Sequence, residues 1–144
     1  MSIQHTYQVN LNWKEGRKGL LQSPDLNSSI EVVTPPEFTK GIAGIWSPEH
    51  LFVASVSSCF MTTFLAVAEY SNFEFKNLVI TAKGVLEKVD EKFMISEIAL
   101  KVNLNIEDVS QKEKALKLIE KGEKACLITN SVKTNIKLES EVLV

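Results

Sequence analysis

The chain has 144 residues, 44% of them hydrophobic and 24% charged, a composition typical of a globular protein with one domain that spans residues 1–144. Its net charge of −2 argues against nucleic acid as the main partner. The N-terminal residues lack the basic start and apolar run of a secretory signal, so the sequence predicts a cytoplasmic protein.

Three β-strands are predicted in the first part of the chain. From Tyr7 to Trp13, apolar residues alternate with polar ones, which is the pattern of a half-buried strand. The turn "KEGRKG" follows and carries Arg17 between two glycines. Shorter strands are predicted around Leu20 and in "SSIEVV", and the proline pair at residues 35–36 ends the last of them.

The segment "SPEHLFVASVSSCFMTTFLAVAEY" is predicted to form a long central helix. Ser47 suits the N-cap, Pro48 the first helical position and Glu49 the positive end of the helix dipole. The eighteen residues between His50 and Glu69 carry no charge, which approaches the length of a membrane span. Six of them are Ser, Thr or Cys and no Lys or Arg anchors either end, so we predict a buried core helix instead, and no membrane partner.

The second half of the chain adds two strands, a helix and a strand. Strands are predicted over residues 78–86 and 98–106, and the polar positions of the second should face water. "SQKE" at residues 110–113 predicts a capping box for a helix whose apolar face continues to Cys126. A last strand is predicted over residues 132–144. This order of elements predicts an α+β fold.

Cys59 lies in the middle of the long helix and shares one face with Ser55, Ser58 and Thr62. In one interpretation, the hydroxyls bond to carbonyls of the preceding turn and Cys59 is a small core residue. In the other, Cys59 is a functional thiol. It lies about three turns from the helix N-terminus, too far for the dipole to act, so a functional Cys59 needs a nearby cation. Arg17 is the one arginine in the chain.

No metal or bound cofactor is predicted. His5 and His50 could join the two cysteines in a zinc set, but no pair has the CxxC or HxxxH spacing. Cys59 and Cys126 are 67 positions apart, and two cysteines are too few for a disulfide scaffold. Any bridge between them is expected to be transient in a reducing compartment.

Four segments together resemble the OsmC/Ohr family of thiol-dependent peroxidases, which reduce organic hydroperoxides. They are "GRKG" in the first turn, "TPPEF", "SPEHLFVASVSSCF" and "CLITNSVKTNI". The resemblance implies an intertwined homodimer in which antiparallel sheets from both chains wrap long central helices. Leu127 stands where many relatives have proline, so the branch of the family stays open.

The resemblance also implies roles for four residues. Cys59 would be the peroxidatic cysteine and Cys126 the resolving cysteine, which together form a disulfide after Cys59 is oxidised to a sulfenic acid. Arg17 would stabilise the thiolate and Glu49 would orient the arginine. The family suggests dihydrolipoyl groups or small dithiols as the external reductant. The alternative is a non-enzymatic dimeric module of the same fold that binds a small hydrophobic or thiol-reactive ligand.

Helix geometry separates Glu49 from Cys59. Ten residues on a helix correspond to a rise of about 15 Å and a rotation of about 80°, too far for both side chains to meet one guanidinium group from the same chain. If Glu49 does orient Arg17 beside Cys59, we expect it to come from the other subunit, which predicts a composite site at a dimer interface.

Aromatic residues near the long helix suggest a substrate pocket. Their position favours bulky organic hydroperoxides over hydrogen peroxide, although such residues are also typical of core packing. The candidate lining residues are Phe38, Trp46, Phe52, Phe60 and Phe64.

Overall fold

A computed structural model describes residues 3–144. The chain divides into two compact units, one within Met1–Leu51 and one within Phe52–Val144, and each is described by itself. The elements are β1 (Asn10–Glu15), β2 (Lys18–Gln22), β3 (Ile30–Val33), α1 (Pro48–Tyr70), β4 (Asn77–Val89), β5 (Lys92–Asn105), α2 (Lys112–Lys124), α3 (Leu127–Asn130) and β6 (Asn135–Leu143). The mixed α+β architecture is the one predicted, whereas the single-domain organisation stays a prediction.

The first unit contains an antiparallel sheet with the order β1-β2-β3. A tight turn joins β1 to β2 at Gly16, whose φ of 51° is easily adopted by glycine. The Trp13 indole Nε1 donates to the Gly16 carbonyl at 3.0 Å and so braces the turn that carries Arg17. The prediction of a half-buried β1 is wrong for the single chain, because all its residues are exposed.

α1 begins as predicted, with Pro48 in its first position. The Ser47 Oγ accepts a hydrogen bond from the His50 backbone N–H at 3.1 Å, which is the N-cap interaction. The prediction of burial on nearly all sides is wrong for the single chain, since Met61 and Leu65 are each 40% exposed. By length and composition alone, α1 is apolar enough to cross a membrane. Its buried stripe consists of Val56, Phe60, Phe64 and Ala68.

The second unit contains a sheet with the order β4-β5-β6. β4 and β5 pair antiparallel, but β5 and β6 pair parallel, with α2 and α3 in the connection between them. The predicted inner face of the central strand is confirmed, since its apolar residues Ile98, Leu100, Val102, Leu104 and the following Ile106 are buried. Its polar face is only partly open to water, as Lys101 is exposed and Asn103 half-buried.

The core of the second unit joins Phe60, Phe64 and Ala68 of α1 to buried residues of α2 and to the inner face of the sheet. The rings of Phe60 and Phe64 are stacked with centroids 5.9 Å apart. The predicted buried face of α2 is confirmed and consists of Ala115, Leu118, Ile119 and Gly122.

The start of α2 differs from the prediction. The Asp108 Oδ1 accepts from the Ser110 backbone N–H at 2.9 Å and caps a short 3-10 turn at Val109–Gln111. The carboxylate therefore takes the capping position that the sequence assigned to the Ser110 hydroxyl, and the predicted capping box is wrong. α2 also ends at Lys124, so Cys126 lies beyond the helix that was expected to carry it.

Candidate functional site

The structure brings Cys59 and Cys126 together. Their side chains are close enough for each thiol to shift the pKa of the other, and both thiols are free rather than bridged. Cys59 is half-buried and comes from the middle of α1, whereas Cys126 is only 1% exposed. Two sulfur atoms in such contact can interconvert between a dithiol and a disulfide.

Cys126 is fixed by the junction between α2 and α3. Its backbone N–H donates to the Glu123 carbonyl at 3.3 Å, and its own carbonyl accepts from the Asn130 N–H at 3.1 Å. It is the N-cap residue of α3, with extended backbone angles. This arrangement places the Leu127 and Ile128 backbone N–H groups near enough to Cys59 to lower the pKa of its thiol.

The surroundings of Cys59 favour its thiolate form. Partial burial raises the pKa of the thiol, but hydrogen bonds outweigh this effect and bring the pKa below its ordinary value. In decreasing order of effect, these hydrogen bonds involve the Cys126 side chain, the Ile128 backbone N–H, the Thr63 side chain and the Leu127 backbone N–H. Groups of the second unit therefore increase the fraction of Cys59 that is present as the nucleophilic thiolate.

Cys126 has the opposite tendency. Burial raises the pKa of its thiol above the ordinary value, and the hydrogen bond to Cys59 raises it further, because Cys126 keeps the proton that it donates. Hydrogen bonds from the side chain and backbone of Thr129 lower the pKa but do not offset these effects. The pair thus consists of one thiol that ionises readily and one that holds its proton.

The hydroxyl groups of α1 fall into two classes. Four of them donate to carbonyls of the preceding turn, at 2.6–3.1 Å: those of Ser55, Ser57, Ser58 and Thr62. The interpretation of these residues as ordinary helix-bonded hydroxyls is confirmed. Thr63 differs, since its Oγ1 lies 4.0 Å from the Cys59 Sγ.

Arg17 and Glu49 belong to the first unit. Arg17 lies in the exposed β1–β2 turn and contributes to a cavity of about 420 Å³, whose other lining residues include Leu11, Trp13 and Val32. Glu49 is half-exposed in the first turn of α1, the same continuous helix that carries Cys59. Their roles toward the Cys59 sulfur stay predictions.

The five predicted pocket aromatics have different environments. Phe60 and Phe64 are fully buried in the core of the second unit, where they pack against other core side chains. Trp46 is 51% exposed and lines a cavity of about 280 Å³ with His50. Phe38 and Phe52 are half-buried. Phe60 and Phe64 are thus core residues, and a substrate-binding role for the other three stays a prediction.

Within residues 3–144, no group of three or more His, Cys, Asp or Glu side chains is arranged to hold a metal ion. The Nδ1 of His50 hydrogen-bonds with the Ser47 Oγ at 2.6 Å, and the His50 ring lies edge-on to Trp46. His50 therefore belongs to the start of α1.

The sequence prediction missed three contributors to the cysteine site. The Leu127 and Ile128 amides could not be found, because the four-residue α3 has no periodic pattern. Thr63 follows Cys59 by four positions, the spacing that places side chains on the same helix face, so its proximity was available from the sequence.

Comparisons with known proteins agree on one family. A family model described as OsmC-like protein matches residues 41–141. The uncharacterized protein YmaD of Bacillus subtilis is 26% identical over 97% of this chain and 95% of its own length. An OsmC-like protein of unknown function from Vibrio cholerae has the same fold, with a TM-score of 0.85, 21% identity and coverage of 96% of this chain and 100% of its own. The organic hydroperoxide resistance protein OhrB of Bacillus subtilis has a TM-score of 0.71 and 26% identity, and the match covers 96% of this chain and 98% of OhrB.

Proposed function

This chain belongs to the OsmC-like protein family, and on that premise we propose that it is a thiol-dependent peroxidase that reduces organic hydroperoxides to alcohols. The observation that carries the proposal is the contact between Cys59 and Cys126, whose pKa values are shifted in opposite directions. The similarity to an organic hydroperoxide resistance protein supports the choice of substrate class.

In the first step, the Cys59 thiolate attacks the distal oxygen of the hydroperoxide. A sulfur–oxygen bond forms as the oxygen–oxygen bond breaks, and the departing alkoxide takes up a proton to become the alcohol. The sulfur is thereby oxidised to a sulfenic acid. The donors around Cys59 serve this step because they stabilise the thiolate that must attack.

In the second step, Cys126 resolves the sulfenic acid. Its thiol loses a proton and its sulfur attacks the Cys59 sulfur, so that a disulfide forms and the hydroxyl leaves as water. The proximity of the two thiols in the reduced protein favours this step. An external dithiol, of the dihydrolipoyl type suggested by the family, would then reduce the bridge by thiol–disulfide exchange.

Arg17 is the proposed cation for the peroxide step, with Glu49 as the carboxylate that orients it. A guanidinium group stays charged across the physiological pH range and can donate to the peroxide oxygens. Arg17 lines a largely apolar cavity of about 420 Å³, which supports a bulky organic substrate.

We further propose that the chain forms a homodimer and that Glu49 serves the site of the partner subunit. α1 exposes the apolar side chains of Met61 and Leu65, and β1 exposes Leu11 and Trp13. Apolar surface of this kind is stabilised by burial against a second subunit. Within one chain, ten residues of α1 separate Glu49 from Cys59. In a dimer, Glu49 of one subunit could instead meet the arginine and the Cys59 thiol that form the site of the other subunit.

The proposal is tested by treating the reduced protein with one equivalent of cumene hydroperoxide and following free thiols and intact mass. Wild type should lose two thiols and the mass of two hydrogens, as expected for one intramolecular disulfide. Cys126→Ser should gain oxygen atoms on Cys59, and Cys59→Ser should keep Cys126 reduced. If the wild-type thiols survive this treatment, the protein is not a peroxidase of this class.

The alternative function is a dimeric module that binds a small ligand without chemistry. Such a module has no need for Cys126 to approach Cys59, so the observed contact favours the enzyme. Binding of cumene hydroperoxide without loss of thiols would favour the module.

A further inference from the structure

We propose that Thr63 is a positioning residue for the reactive thiol, and that its hydroxyl group donates a hydrogen bond to the Cys59 thiolate. This proposal rests on the proposed function, because it assigns an additional part to the same site. Its basis is the contact of 4.0 Å between the Thr63 Oγ1 and the Cys59 Sγ on neighbouring turns of α1.

The arrangement of hydroxyls on α1 explains why Thr63 turns to the sulfur. A helical threonine ordinarily donates to the carbonyl three or four residues earlier, which for Thr63 would include that of Cys59. The Thr62 hydroxyl already donates to the Cys59 carbonyl at 3.1 Å, and a continuous helix also pairs this carbonyl with a backbone N–H. Both lone pairs of the Cys59 carbonyl are then used, and the Thr63 hydroxyl contacts the Cys59 sulfur rather than the remaining Phe60 carbonyl.

Ionisation of Cys59 fixes the direction of this hydrogen bond. With a neutral thiol, either group can donate. Once the sulfur is a thiolate it can only accept, so the hydroxyl must donate, and hydrogen bonds to charged acceptors are the stronger class. Thr63 therefore favours the ionised form, and it acts from the same helix as the sulfur.

Thr63 complements the donors contributed by the other side of the site. Cys126, Leu127 and Ile128 all come from the segment around α3, and Cys126 loses its proton when the disulfide forms. The Thr63 hydroxyl is chemically unchanged through the proposed cycle. It can thus act on Cys59 each time the thiol is regenerated.

The test is the pH profile of Cys59 alkylation by iodoacetamide in the full-length, reduced protein. The modified peptide that contains Cys59 is followed by mass spectrometry, so that Cys126 does not contribute. For Thr63→Val, which keeps the shape and removes the hydroxyl, we expect the rate at pH 7 to fall about threefold and the profile to move to higher pH. At high pH, where every thiol is ionised, the rates of variant and wild type should converge.

Two further variants make the result specific. Thr63→Ser restores the hydroxyl and should return the profile to that of wild type. Ser58 directly precedes Cys59, and its hydroxyl donates to the Ala54 carbonyl. Ser58→Ala removes this hydroxyl and should leave the profile unchanged. Should Thr63→Val fail to fold, Thr63→Ala serves the same purpose.

An unchanged profile for Thr63→Val would overturn the proposal. So would an equal loss of rate at every pH, or failure of Thr63→Ser to restore the profile, because both outcomes indicate packing rather than hydrogen bonding. Alkylation does not depend on peroxide turnover. A shifted profile in a protein without peroxidase activity would therefore leave this inference standing while the proposed function fails.

Discussion

Gly122 of α2 lies directly against Phe64 of α1. A Cβ atom added to Gly122 would approach the Phe64 Cα to 3.3 Å, its Cβ to 3.4 Å and an edge atom of the Phe60 ring to 3.5 Å. The absence of a side chain at this position therefore sets how closely the two helices can pack. α1 carries Cys59 and the chain beyond α2 carries Cys126, so this contact also bears on how the two thiols meet.

Gly122→Ala should destabilise the protein in spite of the better helix propensity of alanine. Replacing glycine within a helix gains about 1 kcal/mol, whereas forcing an extra methyl group into a packed core costs about 1–3 kcal/mol. We expect a net decrease of about 1 kcal/mol in the free energy of unfolding, measured with urea. Lys121→Ala, at an exposed position of α2, is the control, and an equal stabilisation by both variants would contradict the tight contact.

Asp108→Ala should lower the melting temperature at neutral pH. The backbone N–H and the hydroxyl of Ser110 donate to Asp108 and hold the pKa of its carboxyl below the ordinary value. A lowered folded-state pKa contributes stability above the unfolded pKa, and this is lost as pH falls through the folded-state value. The difference between wild type and variant should therefore be complete at neutral pH and disappear in strong acid.

Glu113→Ala is the matched control for this cap. The capping box predicted from the sequence would need Glu113, whereas in the structure its carboxylate is exposed and lies 3.7 Å from the Lys117 Nζ. Its replacement should change the melting temperature much less than that of Asp108. Equal effects of the two variants would favour the capping box.

The two thiols should differ in reactivity at neutral pH. Hydrogen bonds lower the pKa of Cys59, while burial and its contact with Cys59 raise the pKa of Cys126. Iodoacetamide should therefore modify the Cys59 peptide first, and the Cys126 peptide should need higher pH. In urea the two rates should become equal, because both thiols then approach the ordinary pKa of about 8.5. Equal rates in the native protein would contradict the assigned difference.

If Arg17 is the cation of the proposed mechanism, Arg17→Ala should slow oxidation of Cys59 by cumene hydroperoxide by about tenfold at pH 7, because the thiolate and the peroxide oxygens would lose a cationic donor. The rate is measured by stopped-flow loss of free thiol across pH. Lys14→Ala removes an exposed cation from the neighbouring strand and is the control. A rate for Arg17→Ala equal to that of wild type at all pH values would show that the cation comes from elsewhere.

Leu65→Glu should weaken the proposed homodimer. Leu65 is 40% exposed on α1, and a carboxylate buried at a subunit contact would lack a partner. Sedimentation velocity should show a shift from dimer to monomer. Val109→Glu, at a 67% exposed position of the 3-10 turn, should remain dimeric. A monomeric wild type would overturn the dimer, and with it the composite site.

Periodic patterns gave the main elements but not the interactions that join them. The alternation in the central strand predicted its buried face, and Ser47 with Pro48 predicted the start of α1. Both signals are local in sequence. The parallel pairing of β5 with β6 is not local, because it depends on how α2 crosses the sheet.

At the cysteine site, too, local features could be predicted from the sequence but contacts between distant residues could not. Cys59 and Arg17 could be selected as candidates by residue type, but contact between Cys59 and Cys126 depends on a turn that follows α2. The cap at Asp108 was missed because Asp108 and Ser110, two positions apart, are both suitable N-cap residues, and residue type alone does not rank them.

The contact between Cys59 and Cys126 also has a consequence for unfolding. A disulfide at this position would close a loop of 67 positions, and the lost entropy of the unfolded chain would stabilise the oxidised protein by about 4 kcal/mol in the chain-entropy model. Conversely, the fold stabilises the disulfide. It holds the two sulfurs together, which raises their effective concentration and makes the bridge harder to reduce. The oxidised protein would then be the more heat-resistant form, and its melting temperature would serve as a record of its redox history.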